Sequence, residues 1–223
     1  MVIRYALIMA AGRGERMSPL TDVIPKAMAP VNGSTLIARG LKYLHEKIPY
    51  IYVTVGYKGS MLAAHVVENN VTGIFNTTGQ DNAWWLFNTV MRELDEPVFV
   101  LTCDNVIELN FDLLNKEYFG HGSPPCMVIP VKPIPGLEGD YISHENNVVK
   151  KLSRNDVTEM YCSGIQIIHP KKVNALIEPA TNFYQVWNLL IEKQSLYCSD
   201  IYPDKWYAVD TIQQLSSYKE TLG

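Results

Sequence analysis

The chain has 223 residues, of which 47% are hydrophobic and 19% are charged, and its formal net charge is −4. This is the composition of a soluble globular protein with enough apolar material for a core. The small negative charge gives no overall basic field that would favour nucleic acid or an anionic membrane, so we expect neither as a partner. A polyanionic ligand would have to be held by local groups.

The four cysteines lie far apart and form no C-x-x-C pair, at Cys103, Cys126, Cys162 and Cys198. Each stands in an apolar context, so buried free thiols are favoured over disulfides or a structural zinc site. Free thiols suit a reducing compartment.

The N-terminal apolar stretch is either an export signal or a buried strand. The uncharged residues Tyr5–Ala11 make only the short end of a signal-peptide core, and the Gly-Arg-Gly-Glu-Arg that follows is an unusual cleavage site. No other stretch is long enough to span a bilayer. We therefore expect a cytoplasmic protein and interpret Val2–Met9 as a strand buried on both faces.

Strand and helix patterns alternate over the first 130 residues. After Val2–Met9, the predicted order is a helix capped by Ser34 or Thr35 and ending near Lys47, a strand at Tyr50–Gly56, a helix at Ser60–Asn69, a strand at Thr72–Asn76, a helical segment at Asn82–Leu94, a strand at Glu96–Asn105, a helix from Asn110 to about Phe119 and a strand at Cys126–Val131. This order predicts an α/β fold with a Rossmann-like, mostly parallel sheet and helices on both faces. Such sheets bind ligands beyond the carboxyl ends of their strands.

The pattern changes after Pro130. A loop rich in proline and glycine at Lys132–Gly139 is followed by short strands at Asp140–Ser143, Val148–Leu152 and Tyr161–His169, a helix at Phe183–Lys193, a strand at Leu196–Ile201, and a C-terminal strand and helix joined through Asp210 and Thr211. These strands favour an antiparallel-leaning addition to the sheet. Since no long linker intervenes, we predict a single domain over residues 1–223 with lobes at 1–131 and 132–223.

A glycine-containing loop directly follows the first predicted strand, with the sequence Gly12-Arg13-Gly14-Glu15-Arg16. Glycines there let the backbone bend and bring its N–H groups close to phosphate oxygens. A dinucleotide-binding loop needs a third glycine at the position of Met17, and the Gly-Lys-[Ser/Thr] of a Walker loop is absent. A dinucleotide-dependent oxidoreductase is therefore disfavoured.

The loop continues into Pro19-Leu20-Thr21 and then Pro25-Lys26, and this combination is far more specific than its parts. The stretch LIMAAGRGERMSPLTDVIPKAMAPV resembles the signature of the sugar-1-phosphate nucleotidyltransferases, or NDP-sugar pyrophosphorylases, whose fold the bacterial phosphocholine cytidylyltransferases share. The resemblance implies a single-domain, glycosyltransferase-A-like nucleotidyltransferase fold. Glu15 departs from the signature, which usually has Ser or Thr there.

The resemblance also implies roles for four charged residues. Arg16 and Lys26 would hold the phosphates, and Asp104 would act with them as a catalytic residue. Asp104 ends the strand Glu96–Asn105, with Cys103 where the family usually has glycine. Asp104 and Asp210 would bind Mg²⁺. Each aspartate has an ordinary structural alternative, because Asp104 could cap a turn and Asp210 could cap the C-terminal helix.

The remaining site residues are implied in the same way. The nucleotide-binding positions are Ala10, Ala11, Gly12, Gly14, Asn82 and Ala83. The substrate-binding positions are Gly139, Arg154, Gly164 and Trp206, of which Arg154 would replace the lysine of a Glu-Lys-Pro motif that this chain lacks. These positions would make residues 1–131 the nucleotide-binding lobe and residues 132–223 the acceptor-substrate lobe.

The expected reaction joins a nucleoside triphosphate to a sugar-1-phosphate and releases pyrophosphate, with Mg²⁺ as cofactor. The alternative in the same fold is a CTP-dependent cytidylyltransferase acting on phosphocholine or another small phosphorylated alcohol. The Val-Asp-Thr at residues 209–211 resembles that branch, whereas Ala208 stands where the branch tends to carry glutamate. The alternative of another class is a catalytically silent nucleotide-binding regulatory subunit. A homodimer remains an open expectation.

Overall fold

The computed structural model describes residues 1–134 and 139–221, so the predicted loop at Lys132–Gly139 lies partly outside the described residues. The strands are β1 (Tyr5–Met9), β2 (Pro30–Val31), β3 (Ser34–Thr35), β4 (Tyr50–Val55), β5 (Gly73–Asn76), β6 (Val98–Thr102), β7 (Asn105–Glu108), β8 (Cys126–Val131), β9 (Asp140–Glu145), β10 (Val148–Ser153), β11 (Tyr161–Ile168), β12 (Leu196–Cys198) and β13 (Lys205–Ala208). The α-helices are α1 (Leu20–Val23), α2 (Leu36–His45), α3 (Gly59–Val67), α4 (Trp84–Asn88), α5 (Phe111–Gly120), α6 (Pro170–Leu176), α7 (Phe183–Glu192) and α8 (Ile212–Glu220). Short 3₁₀-helices cover Glu15–Met17, Lys26–Met28 and Val90–Glu93.

Nine strands form one mixed sheet in the order β5-β4-β1-β6-β11-β8-β12-β10-β9. The first four are parallel, as are β8 and β12. β11, from the later part of the chain, lies between β6 and β8 and is antiparallel to both. The prediction of a mostly parallel, mixed sheet is confirmed, and the insertion of β11 joins the earlier and later parts of the chain in one sheet.

Helices cover both faces of this sheet, and β1 shows the division most clearly. Ala6 and Ile8 point into one apolar core with residues of α2, α3 and α5. Leu7 and Met9 point into a second core with residues of α4, α6 and α7. Because successive side chains of a strand face opposite sides, a continuous apolar run is what a strand between two cores requires.

The predicted helix caps are confirmed at two positions. Thr35 accepts a hydrogen bond from the Ala38 N–H at the start of α2, and Asn110 accepts one from the Leu113 N–H at the start of α5. Each side chain satisfies a backbone donor that has no partner within the helix.

Two predicted elements differ from the structure, and one helix was not predicted. The helical segment Asn82–Leu94 is divided at Thr89, whose extended backbone (φ −118°, ψ 177°) ends α4, while its hydroxyl caps the 3₁₀-helix that follows. The predicted strand Glu96–Asn105 ends as β6 at Thr102, and Asn105 begins a separate strand, β7. Helix α6 was not predicted, since its seven residues are too few to show a period.

All four cysteines are free thiols, with Cys103 partly exposed and the other three buried. Within residues 1–134 and 139–221, no helix has the length and apolar character needed to cross a bilayer.

Candidate active site

A cavity of about 940 Å³ opens at the carboxyl ends of β1, β4 and β6. This is the position that the parallel part of the sheet predicts for a ligand. The lining comes from four segments and four single residues: Met9–Arg16, Thr54 with Gly56 and Tyr57, residues 77–82, Thr102–Asp104, Lys26, Trp85, Asn182 and Asp210.

Four charged side chains meet in this cavity. The Lys26 ammonium donates to Asp104 Oδ2 at 2.5 Å and to Asp210 Oδ1 at 2.6 Å, and Arg16 Nη2 lies 3.0 Å from the same Asp210 oxygen. Lys26 is buried, with a side chain only 10% exposed, whereas the Arg16 side chain is 63% exposed. The structure thus brings together the four residues that the sequence selected, although they come from three distant parts of the chain.

The ion pairs set the protonation of this group. Burial alone would lower the pKa of Lys26, but the charge of Asp104 and hydrogen bonds to both carboxylates raise it above its ordinary value. Burial alone would raise the pKa of Asp104, and the charge and hydrogen bond of Lys26 outweigh it, so this pKa is lowered. The ammonium and the Asp104 carboxylate are therefore both charged at neutral pH.

Gly14 positions Lys26 against the loop. Its backbone is left-handed (φ +68°), and a Cβ on Gly14 would lie 2.7 Å from the Lys26 Cβ. The Gly14 carbonyl accepts from the Met17 N–H at 2.9 Å and from the Thr21 hydroxyl at 3.1 Å. Only glycine permits both this φ and this close approach.

A third apolar cluster brings Asp210 to the same place. Val209 and Leu215, on either side of the start of α8, pack with Met17 and Ala29 of the N-terminal segment. Thr211 caps α8 in a capping box with Gln214, so the prediction that Asp210 might serve as the cap is wrong. The Asp210 carboxylate is left to face the cavity.

The loop after β1 lines the cavity. The Ala10 N–H donates to Thr54 Oγ1 at 3.1 Å, and the Ala11 carbonyl accepts from the Tyr57 N–H at 2.9 Å. The N–H groups of residues 12 to 14 make no hydrogen bond to any residue in the described part of the chain. Of the predicted nucleotide-binding loop, Gly12 and Gly14 therefore have free donors, whereas the Ala10 donor is already used.

The side chain of Glu15, the residue that departs from the family signature, pairs with Arg13. Its carboxylate lies 3.7 Å from Arg13 Nη1, and its side chain is 77% exposed. Arg13 also lies 3.9 Å from Asp22 and stacks over the Tyr57 ring, with its guanidinium carbon 5.5 Å from the ring centre. Arg13 therefore balances the acid at the rim of the cavity.

The two predicted base-binding residues differ in position. Asn82 lines the cavity, and its Oδ1 accepts from the Phe183 N–H at 2.9 Å. Ala83 is fully buried beneath it, with its N–H bonded to the Thr181 carbonyl at 3.1 Å. Trp85, which follows in α4, lines the cavity with a fully buried side chain.

The four predicted acceptor residues lie outside this lining. Arg154 lines a separate recess with Tyr184, 4.0 Å from the Asp140 carboxylate. A Cβ on Gly139 would lie 2.5 Å from the Tyr161 hydroxyl.

Gly164 lies close to Thr102, and Trp206 lies close to Asn105, one on each side of Asp104 in the sequence. Gly164 (φ +85°) would place a Cβ 4.0 Å from Thr102 Cγ2. Trp206 lies in β13, where its Nε1 donates to Asn105 Oδ1 at 2.6 Å. The indole therefore contacts a neighbour of Asp104 rather than the cavity.

Sequence reasoning missed three features of the site. Thr54 and Gly56 hold the loop in place, and a Cβ on Gly56 would lie 2.7 Å from the Ala11 carbonyl oxygen. Thr102 donates from its hydroxyl to Asp104 Oδ1. The sequence signal that could have found them is the polar or glycine residue at the end of each strand. It indicates which residues lie at the ligand-binding edge of the sheet, but not which residues they contact.

The two aspartates make a donor set that fits Mg²⁺. Their carboxylate oxygens contact one ammonium, so they lie close enough to share one cation. No group of three or more His, Cys, Asp or Glu side chains that could hold a metal occurs in residues 1–134 and 139–221. One or two carboxylates, completed by substrate phosphates and water, are the usual protein ligands of Mg²⁺.

Most of the chain resembles known nucleotidyltransferases in sequence. Residues 6–129 match the family described as "MobA-like NTP transferase domain". Mannose-1-phosphate guanylyltransferase catalytic subunit beta of Drosophila melanogaster is 23% identical over 209 residues, covering 88% of this chain and 57% of the relative. Choline-phosphate cytidylyltransferase of Streptococcus pneumoniae is 34% identical over 126 residues, covering 54% of this chain and 55% of the relative.

The chain spans about half the length of these curated relatives. Among solved structures, CTP:phosphocholine cytidylyltransferase from Streptococcus pneumoniae superposes with a TM-score of 0.76 at 22% identity, covering 100% of both chains. At that identity the superposition shows a shared fold.

Proposed function

The chain belongs to the family of MobA-like NTP transferase domains, and on that premise we propose that it is a nucleotidyltransferase joining a nucleoside triphosphate to a sugar-1-phosphate. The observation that carries the proposal is the convergence of Arg16, Lys26, Asp104 and Asp210 on one cavity at the carboxyl edge of the sheet. A reaction between two polyanions requires positive charge, which the two cations supply directly and the two carboxylates supply by holding Mg²⁺.

The proposed reaction is an in-line displacement. An oxygen of the acceptor phosphate attacks the α-phosphorus, a new P–O–P bond forms, and the bond to the β-phosphate breaks to release pyrophosphate. No protein nucleophile is needed, so positioning and charge stabilisation supply the catalysis.

Each charged residue has a part in that stabilisation. Arg16 and Lys26 bind the phosphates, and Lys26 exchanges carboxylate contacts for phosphate oxygens when the nucleotide arrives. Asp104 and Asp210 would hold Mg²⁺, which when bound neutralises charge on the transferred phosphate. Because Lys26 now contacts both aspartates, nucleotide and metal should enter the site together.

We place the phosphates at the free N–H groups of residues 12 to 14 and the base towards Asn82. Arg13 and Tyr57, which stack on each other, form one rim of the cavity. Residues 1–131 contribute most of the lining, which supports their assignment as the nucleotide-binding lobe.

The acceptor belongs, in this proposal, to residues 132–223. Gly164 lies beside Thr102 at the edge of the cavity, and the recess lined by Arg154 and Tyr184 offers a cation and an aromatic ring. The four free thiols support the further proposal of a reducing, cytoplasmic location.

A cytidylyltransferase acting on phosphocholine or a similar alcohol phosphate is the second candidate. The 34% identity to choline-phosphate cytidylyltransferase favours it, although that match covers only 54% of the chain. The guanylyltransferase match is weaker in identity and covers 88%. A silent regulatory subunit is disfavoured, because all four charged residues of the site are retained and in contact.

A pyrophosphate-release screen tests the proposal. Each of the four nucleoside triphosphates is paired with a panel of sugar-1-phosphates and with phosphocholine, in the presence of Mg²⁺. Release with a sugar-1-phosphate supports the first candidate, and release only with CTP and phosphocholine supports the second. Nucleotide binding by calorimetry without release from any pair would overturn the enzyme assignment. Release that persists in both Asp104→Ala and Asp210→Ala would refute the metal site.

A further inference from the structure

A chain of hydrogen bonds ties Asp104 to a tryptophan outside the cavity. Thr102 Oγ1 donates to Asp104 Oδ1, and Asn105 Nδ2 donates to Thr102 Oγ1 at 2.5 Å. Trp206 Nε1 donates to Asn105 Oδ1 at 2.6 Å, across 101 positions of sequence. Of the four residues linked by these hydrogen bonds, Asp104 and Thr102 line the cavity, and Asn105 and Trp206 do not.

The Trp206 indole at one end of this series of hydrogen bonds and the Asp104 carboxylate at the other determine which groups donate and which accept. An indole can only donate, so the Asn105 amide must turn its oxygen towards Trp206. The amide nitrogen then faces Thr102 Oγ1 and the Ser163 carbonyl, which lies 3.2 Å away and can only accept. Since the Thr102 oxygen receives this hydrogen bond, its own proton is directed to Asp104.

This arrangement assigns different tasks to the two oxygens of Asp104. Oδ1 accepts from Thr102, so the carboxylate cannot rotate freely, while Oδ2 faces the cavity and contacts Lys26. Ligating carboxylates in metal sites are commonly oriented by such outer hydrogen bonds.

The backbone holds Trp206 and Asn105 in register. β13 pairs with β7 in an antiparallel ladder in which Trp206 lies opposite Ile107 and Ala208 lies opposite Asn105. Asn105 is buried, with 8% of its surface exposed, so a mispaired amide there would be costly. The short β7–β13 sheet therefore brings the Trp206 indole N–H to the buried Asn105 amide, next to Asp104.

We propose that Trp206 and Asn105 are positioning residues that act through Thr102 to hold the Asp104 carboxylate in its metal-binding orientation. The inference rests on the proposed function, in which Asp104 and Asp210 hold Mg²⁺. It gives Trp206 a different role from the substrate contact that the family resemblance implied.

The test measures metal binding directly in Trp206→Phe and Asn105→Leu. Mn²⁺ binding is followed by electron paramagnetic resonance with α,β-methylene GTP or α,β-methylene CTP present. We expect affinity for Mn²⁺ to fall about 10- to 100-fold in Asn105→Leu, the range seen for lost outer-shell partners, and less in Trp206→Phe. The Mg²⁺ concentration for half-maximal velocity should rise in parallel, with KM for the nucleotide at saturating Mg²⁺ little changed.

Trp187→Phe is the matched control. Trp187 Nε1 donates to Gln166 Oε1 at 2.7 Å, which is also an indole–amide hydrogen bond, and neither residue lines the cavity. Its loss should lower the melting temperature without changing Mn²⁺ affinity. A melting temperature of Trp206→Phe as low as that of Trp187→Phe, with Mn²⁺ affinity unchanged from the wild type, would overturn the positioning role.

Failure of the wider proposal gives a different result. If the wild type binds no Mn²⁺ with either nucleotide analogue, the metal site itself is refuted, and the positioning role is refuted with it. If the wild type and both variants bind Mn²⁺ equally and release pyrophosphate, only the positioning role is refuted.

Discussion

The Lys26 ammonium lies 2.5 Å from the Asp104 carboxylate, although 78 positions of sequence separate the two residues. Asp210, a further 106 residues along the chain, contacts the same ammonium at 2.6 Å. The lysine therefore supplies the positive charge that two converging carboxylates need. A divalent cation bound by Asp104 and Asp210 would have to share or take over that role.

Replacing Lys26 by methionine should have opposite effects on catalysis and on metal binding. Loss of the phosphate-binding cation should lower kcat by about a hundredfold or more. Two unpaired carboxylates should bind Mn²⁺ in the absence of nucleotide about tenfold more tightly than in the wild type, because the competing charge is gone. Mn²⁺ should also raise the melting temperature of the variant more than that of the wild type.

Lys171→Met is the control for this variant, since Lys171 pairs with Asp95 at 2.7 Å on the exposed surface. Exposed pairs contribute little, so neither kcat nor Mn²⁺ binding should change. Unchanged or weaker Mn²⁺ binding in Lys26→Met would show that the lysine does not compete with a metal.

Gly14→Ala should lower both stability and activity. The left-handed backbone costs a non-glycine residue about 1–2 kcal/mol. The new Cβ, 2.7 Å from the Lys26 Cβ, must also displace that side chain. Urea unfolding measures the free energy of unfolding, and pyrophosphate release measures the displacement of Lys26.

Two other glycines separate these effects. Gly33 has φ +75° with no atom within 4 Å of an added Cβ, so Gly33→Ala should lose only the stability that a left-handed backbone costs a non-glycine residue. Gly12 has open space and no positive φ, so Gly12→Ala should keep the free energy of unfolding of the wild type. Equal losses of stability in Gly14→Ala and Gly33→Ala, with kcat kept in both, would contradict the close-approach argument.

The fold was predictable where its signals are local. Thr35 and Asn110 mark helix starts, because a capping side chain acts on donors three residues away. The insertion of β11 between β6 and β8 left no local trace, since strand order depends on how distant apolar faces fit together. Likewise, nothing around Thr89 distinguished one helix from two short ones.

The sequence predicted which residues form the site but not how they contact one another. The signature selected Arg16 and Lys26, and the strand end selected Asp104, but the contact between Lys26 and both aspartates depends on how the third apolar cluster packs. Trp206 was assigned to the substrate because of its place in the sequence. Its hydrogen bond to Asn105 depends on the pairing of β13 with β7, which the sequence pattern does not specify.

Arg16→Gln should impair catalysis without loss of stability. The Arg16 side chain is 63% exposed, so its ion pair with Asp210 should contribute less than about 1 kcal/mol. As a phosphate-binding cation it should nevertheless contribute about a hundredfold to kcat. Arg13→Gln is the matched control, because Arg13 is bound to Glu15 and Asp22 and should change kcat only a few-fold. Equal effects of the two substitutions on kcat would contradict the assignment of Arg16.

Cys103 should resist alkylation although it lines the cavity. Burial first, and then the charge of Asp104, raise the pKa of its thiol to about 12, against the opposing charge of Lys26. The reactive thiolate is then about one part in ten thousand at pH 8, compared with about a quarter for an ordinary thiol. Labelling by iodoacetamide, followed by mass spectrometry, should accelerate about tenfold per unit of pH from 8 to 11 without reaching a plateau.

Two substitutions should shift this reactivity in opposite directions. Asp104→Asn removes a charge that raises the pKa of Cys103 and keeps the Lys26 charge that lowers it, so labelling at pH 8 should become faster. Lys26→Met removes the lowering charge, so labelling should become slower still. Cys103→Ser identifies the labelled position, since the pKa values of Cys162 and Cys198 are also raised to about 12 by burial. Slower labelling in Asp104→Asn would mean that the Asp104 carboxylate does not act on this thiol, and would contradict the charge arrangement assigned to the cavity.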